Sequence, residues 1–336
     1  MREEDLKEFV ESRYNIVVYA IEKIKGVYKI QSEKEVYCLK VVNYNEAHFL
    51  FILGAIKHMK ERGFKSIPAI INTVAGQEYI NLEDKFAYLT LWVDGRESSY
   101  DNPLDLYMAA RKLGEFHNAS EGFVVEEYME PRVGWFKWIE VYRTRKNEIL
   151  DFKYRILDKS NKSQVDLKYL SMIPKELESC DRAIENLCSS NYDKKMLKEI
   201  KKAGFCHHDY AHHNVLIGKE GITIIDFDYC ILDVYLHDLS SLLLRAMNHG
   251  RWSQERMKII LNAYRSDHRL LDEDFKIMAA FMEFPQDFWQ RGLQYYWEKK
   301  SWTDEFYIKK LKEYDEDNKN KQNFLDYLRD FDLSNL

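Results

Sequence analysis

The stretch FCHHDYAHHNVLIG, residues 205–218, sets one cysteine, four histidines and one aspartate between positions 206 and 213 and then runs into apolar, β-branched residues. A metal centre is one reading of that density. His208 and His212 are four apart, a spacing that on a helix would turn two imidazoles to one face, with Cys206 nearby. The context argues otherwise: NVLIG follows at once and reads as a strand, and the chain offers no CxxC to supply a second ligand pair.

Counted differently, His207, Asp209 and Asn214 make H-x-D-x-x-x-x-N, and Asp226 follows twelve residues after the asparagine, within IIDFD. That layout points to phosphotransfer chemistry. One carboxylate, Asp209, is needed to accept or orient the proton of an attacking hydroxyl. An amide, Asn214, and a second carboxylate, Asp226, are needed to hold the Mg2+ that bridges the phosphates of ATP. The intervening VLIG, KEG and ITIIDFDYC predict a small β-hairpin with these polar residues at its ends. His207 reads as a packed support of the loop, and His212 and His213 as solvated or substrate-proximal.

Such a site calls for a phosphate-facing cation upstream. Lys40, in VYCLKVV, closes a predicted strand and precedes a helix. An acid on that helix should hold it in place, and Glu46 is the candidate, because Glu61 is a full helix away. An acid in a first helical turn is equally explained by the helix dipole.

Working outward, residues 16–42 predict three strands, IVVYAIEKI, GVYKIQS and EVYCLKVV, after a short first helix. NEAHFLFILGAIKHMKERGF predicts a helix stopped by Gly63, and IPAIINT, QEYINL and FAYLTLWV predict further strands before a break at Asp94-Gly95. From residue 103 the apolar residues recur with helical period, the 205–229 segment excepted. DEDNKNKQN, residues 315–323, reads as polar and frayed. The expected boundaries are 1–94 for a sheet-and-helix lobe and 95–336 for a larger, mainly helical lobe. The aromatic cluster of Phe284, Phe288, Trp289, Tyr295, Tyr296, Trp297 and Trp302 reads as lobe packing, with a substrate wall as the alternative.

The bulk numbers set bounds. At 336 residues, with 46% hydrophobic residues, 13 Gly and 5 Pro, the chain suits two lobes around sizeable cores. A net charge of -6 gives no whole-molecule attraction to nucleic acid or anionic lipid, so neither is an expected partner. Five cysteines without CxxC spacing suit a reducing compartment. MREEDLKEFVESRY lacks the basic start and apolar run of a secretion signal, and the apolar window at 49–56 is too short to cross a membrane.

Eight segments together carry a family resemblance: GVYKI (26–30), YCLK (37–40), LTLWVDGRE (89–97), AARKLGEFHNAS (109–120), FCHHDYAHHNVL (205–216), IIDFDYC (224–230), HDLSSLLLR (237–245) and FPQDFWQRGLQYY (284–296). The chain resembles the aminoglycoside-phosphotransferase and choline-kinase superfamily, and within it the CotS-like spore-coat branch. The resemblance implies an α+β, bilobal protein-kinase-like fold and ATP-dependent transfer of a γ-phosphate to the hydroxyl of an unidentified acceptor. It implies Asp209 as catalytic base, Asn214 and Asp226 as magnesium ligands, and Lys40 as the phosphate contact. Asp228 is implied as a further metal acid, backbone groups of Leu91, Trp92 and Val93 as the adenine contact with Thr90 at the pocket mouth, and Asp238 as a buried brace of the catalytic loop. It also implies a mother-cell cytoplasmic or spore-coat location, with other coat proteins as partners. One departure stands out: the first hairpin carries Gly26 alone where many kinases have several glycines. It favours the alternative, a kinase-fold structural component of the coat without turnover.

Overall fold

The computed structural model describes residues 3–82, 84–248 and 250–336. Helix α1 (Glu3–Tyr14) leads into a meander of β1 (Val18–Ile24), β2 (Val27–Ser32) and β3 (Val36–Val42). Lys25 and Gly26 alone join the first two strands, with Ile24 opposite Val27 and Lys25 at φ 53. A two-residue hairpin needs such a left-handed residue to match the strand twist. Helix α2 (Glu46–Glu61) starts where the Asn45 side chain accepts from the Ala47 amide. It ends before Gly63, whose φ of +79 suits glycine. Strands β4 (Ile70–Ile71), β5 (Ile80–Leu82) and β6 (Lys85–Leu91) complete an antiparallel sheet in which β6 pairs with β3, β4 and β5.

Both faces of this sheet are covered. Ile30, Leu39, Ala87 and Leu89 pack on Leu6 and Val10 of α1. Val42 and Tyr88 pack on Phe49 and Leu53 of α2. The register sets Cys38 opposite Thr90 and Lys40 opposite Tyr88, so strand alternation puts these four on the α2 side.

The chain then crosses to the second lobe at Asp94-Gly95. A short β7 (Arg96–Glu97) pairs with β8 (Val215–Gly218), which forms a hairpin with β9 (Gly221–Ile224). The crossing is tight, since a Cβ on Gly218 would lie 2.6 Å from Asp94 O. The rest is helical: α3 (Pro103–Ser120), α4 (Trp138–Asp158), α5 (Gln164–Ser189), α6 (Tyr192–Lys202), α7 (Leu236–Met247), α8 (Gln254–Arg265), α9 (Asp272–Glu283), α10 (Gln286–Gly292) and α11 (Asp304–Arg329). This is the α+β, bilobal, kinase-like arrangement. Phe284 and Phe288 are buried, stacking on Tyr142 and Tyr169 at 4.1 Å, while Trp297 and Trp302 stay exposed.

One helix belongs to both lobes. While Phe49 and Leu53 of α2 face the sheet, Phe51, Ile52, Ala55, Ile56 and Met59 enter the large second-lobe core. The Phe51 ring meets Phe123, which meets Phe205. The Glu130 amide donates to Ala47 O, and His48 Nδ1 lies 3.2 Å from Glu130 O, fastening the start of α2 to the second lobe.

The segment 315–323 corrects the sequence reading, because it lies inside the continuous helix α11. Four of its residues engage neighbouring segments rather than fray. Asp315 pairs with Lys168, Asp317 accepts from the Gly250 amide, and Asn318 and Lys321 are buried beside Glu176. Polar composition hid two buried polar residues, Asn318 and Lys321, in a stretch whose other residues are half-buried or exposed.

Candidate active site

Two backbone segments are stitched side by side to make the floor of the cleft. Cys206 and Ile231 exchange backbone hydrogen bonds, the Ile225 amide donates to Asn214 O, and His207 Nε2 lies 3.0 Å from Ile225 O. The result fixes residues 206–214 against 225–231. Two residues in it adopt left-handed backbone, His208 at φ 68 and Asp226 at φ 67. Such geometry costs on the order of 1 kcal/mol for a residue with a Cβ and persists only where surroundings enforce it.

The enforcing group at His208 is Asp238 in the first turn of α7. Its two carboxylate oxygens accept from the His207 amide at 2.7 Å and the His208 amide at 2.9 Å. His117 Nε2 lies 3.2 Å from the same carboxylate, and Tyr264 OH is 2.8 Å from the other ring nitrogen. Burial pushes the Asp238 carboxyl up, yet the hydrogen bonds and charges of His117 and His237 outweigh it and hold it well below the carboxylate range. His207, fully buried, is kept neutral, burial being the main cause. It supports the loop and carries no proton to the cleft.

This loop presents Asp209. One carboxylate oxygen accepts from Arg245 Nη2 at 2.9 Å and the other from Asn214 Nδ2 at 3.1 Å. Asn214 Nδ2 also donates to Asp209 O at 3.0 Å. Both hydrogens of the amide are engaged, and Asn214 Oδ1 has no partner among the described residues. It is thus available as an oxygen ligand.

Across the cleft, Lys40 Nζ lies 2.6 Å from Asp226 Oδ1 and 2.5 Å from Asp228 Oδ1. Burial disfavours the ammonium, but Tyr88, Asp226 and Asp228 outweigh that and hold Lys40 protonated above its ordinary range. Burial likewise raises Asp226, while Lys40 beside it turns the net direction downward. Tyr44, whose hydroxyl burial and Asp228 push upward, lies beside Asp228 at the edge of the cluster.

The structure therefore brings Lys40, Asp226 and Asp228 together, and Asp209 with Asn214. It does not bring Glu46 to Lys40. Glu46 is exposed at the start of α2 and accepts from Tyr79 OH at 3.1 Å. The physical reason is the fastening of α2 at Ala47 and His48 to Glu130, which sets the helix before Glu46 can choose a partner. Thr90 is buried, its hydroxyl donating to Leu91 O at 3.3 Å, and it stands opposite Cys38 in the sheet. The Trp92 amide is taken by Val36 O at 2.8 Å, and its indole lies under Lys29.

The sequence reading gave no role to Arg245 or Tyr44. Arg245 looks like an ordinary last-turn cation of a helix, and Tyr44 like a turn residue. The zinc reading fails on contacts: the His208 ring stacks on His237 at 4.2 Å, His212 is exposed 3.9 Å from Glu97, and the Cys206 thiol donates to Val234 O. His117, Cys206 and Asp238 do lie within 4.8 Å of one another, but Asp238 is already committed to two backbone amides.

A sheet lobe carrying Lys40, a loop aspartate paired with an asparagine, and a second aspartate beyond a hairpin sit within an α+β, bilobal, kinase-like fold. This fold is similar to that of an aminoglycoside phosphotransferase from Alicyclobacillus acidocaldarius subsp. acidocaldarius DSM 446, at a TM-score of 0.84 and 19% identity, covering 96% of this chain and 95% of that one. Spectinomycin phosphotransferase APH(9)-Ia, solved with ADP and spectinomycin, is similar at a TM-score of 0.66 and 17% identity over 98% of this chain and 99% of its own. The chain belongs to the family described as "Spore coat putative kinase YutH", whose pattern matches residues 7–328. It is also 24% identical to spore coat protein S of Bacillus subtilis (strain 168) over 306 residues, 90% of this chain and 87% of that protein. Among the described residues no helix is long and apolar enough to cross a membrane.

Proposed function

We propose that the protein is an ATP-dependent phosphotransferase acting on a hydroxyl acceptor in the context of the spore coat. The observation that carries this reading is the pair of converging constellations: Asp209 aimed by Asn214 and Arg245, and Lys40 gathered with Asp226 and Asp228. Asp209 takes the proton of the acceptor hydroxyl as its oxygen attacks the γ-phosphorus. The bond from that phosphorus to the β–γ bridging oxygen breaks, and ADP leaves. Lys40 faces the phosphates, and the backbone of Leu91 and Val93 meets adenine beneath Thr90.

Asp226, Asp228 and the uncommitted Oδ1 of Asn214 form an all-oxygen donor set, which suits Mg2+. When bound, the ion supplies charge neutralisation on the transferring phosphoryl group. Binding of ADP by the spectinomycin enzyme of the same fold supports nucleotide as the ligand here. Kinship with a spore coat protein supports a place in the mother-cell cytoplasm or the coat, with coat proteins as neighbours.

The tight β1–β2 turn favours a second reading. With two residues and a single glycine it has no slack to fold over phosphates, as a scaffold that keeps the fold without turnover would tolerate. Thermal unfolding with and without Mg2+ and ATP, on the wild type and Asp226→Ala, tests the site. A magnesium-dependent rise in Tm that the variant loses is expected. No rise at millimolar ATP would hand the protein to the scaffold reading.

A further inference from the structure

The base of the proposed reaction shares its carboxylate with an arginine. Arg245 Nη2 is 2.9 Å from Asp209 Oδ1, and the Arg245 side chain is 42% exposed. Its Nε and Nη1 have no partner among the described residues. A guanidinium has five N–H donors in a planar fork, so most of its donors remain open toward solvent beside the base.

One neighbouring cation lacks a carboxylate partner among the described residues, and a second is neutralised. Arg256, from α8, donates to Tyr100 O and Ala246 O, one residue along α7 from Arg245. Those are carbonyl partners, so its positive charge is uncompensated by any carboxylate among its hydrogen bonds. Arg251 lies close to Arg256 and is ion-paired with Asp101. Tyr100 feels both Arg245 and Asp209, which places this edge of the helical lobe next to the base. Apart from Asp209 itself, no carboxylate pairs with Arg245 among the described residues.

We propose that Arg245 determines acceptor specificity, selecting a hydroxyl compound that carries an anionic group, carboxylate or phosphate, near the reacting oxygen. The proposal rests on the phosphotransferase reading of the same site. Arg245 keeps Nη2 on Asp209 and offers Nη1 and Nε to the acceptor anion, so one planar group spans base and substrate and sets the hydroxyl against Asp209. An ammonium-bearing alcohol meets the same guanidinium as a like charge and is disfavoured. The transfer step is unchanged: the hydroxyl proton goes to Asp209, the new P–O bond forms, and ADP departs.

The test measures ADP release from Mg2+ and ATP with glycerol 3-phosphate, glycerate, glycerol and choline as probes, on the wild type, Arg245→Lys and Arg245→Gln. The nucleotide-dependent rise in Tm is recorded for each chain to report folding and nucleotide binding. Expected is a preference of about tenfold or more for an anionic probe over glycerol and choline. KM for that probe should rise by about tenfold in Arg245→Gln while KM for ATP holds, with partial rescue in Arg245→Lys. Glycerol 3-phosphate against glycerate separates phosphate from carboxylate as the recognised group. Choline preferred by the wild type, no response to either anionic probe with nucleotide bound, or a rise in KM for ATP instead, each overturns the proposal alone. Absence of nucleotide binding by the wild type sinks the phosphotransferase reading and this inference with it.

Discussion

The two charged ends of the cleft are held in opposite ways. Asp209 sits on a loop whose shape is fixed from behind by a buried acid, two backbone amides and a histidine, so its position does not depend on what lies in the cleft. Lys40 is positioned from in front, by Asp226 and Asp228, which belong to the other lobe. Its own lobe supplies the strand and Tyr88, and no carboxylate among the described residues. The contrast teaches that the Asp209 end is built rigid, whereas the lysine end borrows its geometry from the groups proposed to hold a metal ion.

The largest effect should come from the rigid end. Asp209→Asn keeps the shape and removes the proposed base, and turnover should fall by about 10²–10⁴-fold, the usual weight of general acid–base catalysis. Nucleotide-dependent stabilisation should persist, and stability should change by less than about 1 kcal/mol, since the Arg245 pair is partly exposed. A variant as active as the wild type would break the base assignment. Asp238→Ala attacks the same end from behind. It strands two buried amides and His117, so a loss of roughly 4 kcal/mol in urea unfolding is expected. A loss under about 1 kcal/mol would mean the loop holds its own shape.

Acid should also act first on the rigid end. Burial holds His208 and His268 down to about 3. Between that value and roughly 6.5 the unfolded chain binds the extra protons, so these two groups withdraw stability as pH falls. At pH 5 each accounts for about 2 kcal/mol. Burial pushes Asp233 up to about 6, so the folded chain keeps a proton there that the unfolded chain releases. That works the other way and returns about 1 kcal/mol at pH 5. These three groups together should remove about 3 kcal/mol from pH 7 to 5, and His207, also held down by burial, adds to the loss, read from urea midpoints at the two values. Unchanged midpoints would show that these imidazoles are solvated.

How far the sequence anticipated this follows the same divide. The Asp209–Asn214 pair lies within a short loop, and its spacing announces it directly. The hairpin and the Gly63 stop were legible for the same reason, because turn chemistry is local. Asp228 and Asp238 rested on family resemblance, and the structure gives each a partner. What was illegible depends on partners far along the chain. Lys40 meets Asp226 across 186 positions, and Arg245 meets Asp209 across 36. Nothing in a strand lysine or a last-turn arginine names the carboxylate it will find. The polar middle of α11 failed similarly, since Glu176, which takes Asn318, lies 142 positions away.

Glu46 sharpens the comparison with the smallest effect. A lysine-pairing acid on α2 would make the sheet lobe self-sufficient, and the structure instead gives Glu46 to Tyr79 at the surface. Reaching Lys40 would require the first turn of α2 to rotate inward, against the Glu130 contacts to Ala47 and His48 and the burial of Phe51 and Ile52 in the second-lobe core. Nucleotide cannot supply that rotation unless it binds the rotated state preferentially. Glu46→Gln should therefore shift nucleotide affinity by no more than about twofold and stability by less than about 0.5 kcal/mol, as calorimetry and urea unfolding would record. A tenfold loss of affinity with stability intact would mean that the helix does turn when nucleotide enters. The lysine end would then be assembled by its ligand rather than lent by the opposite lobe.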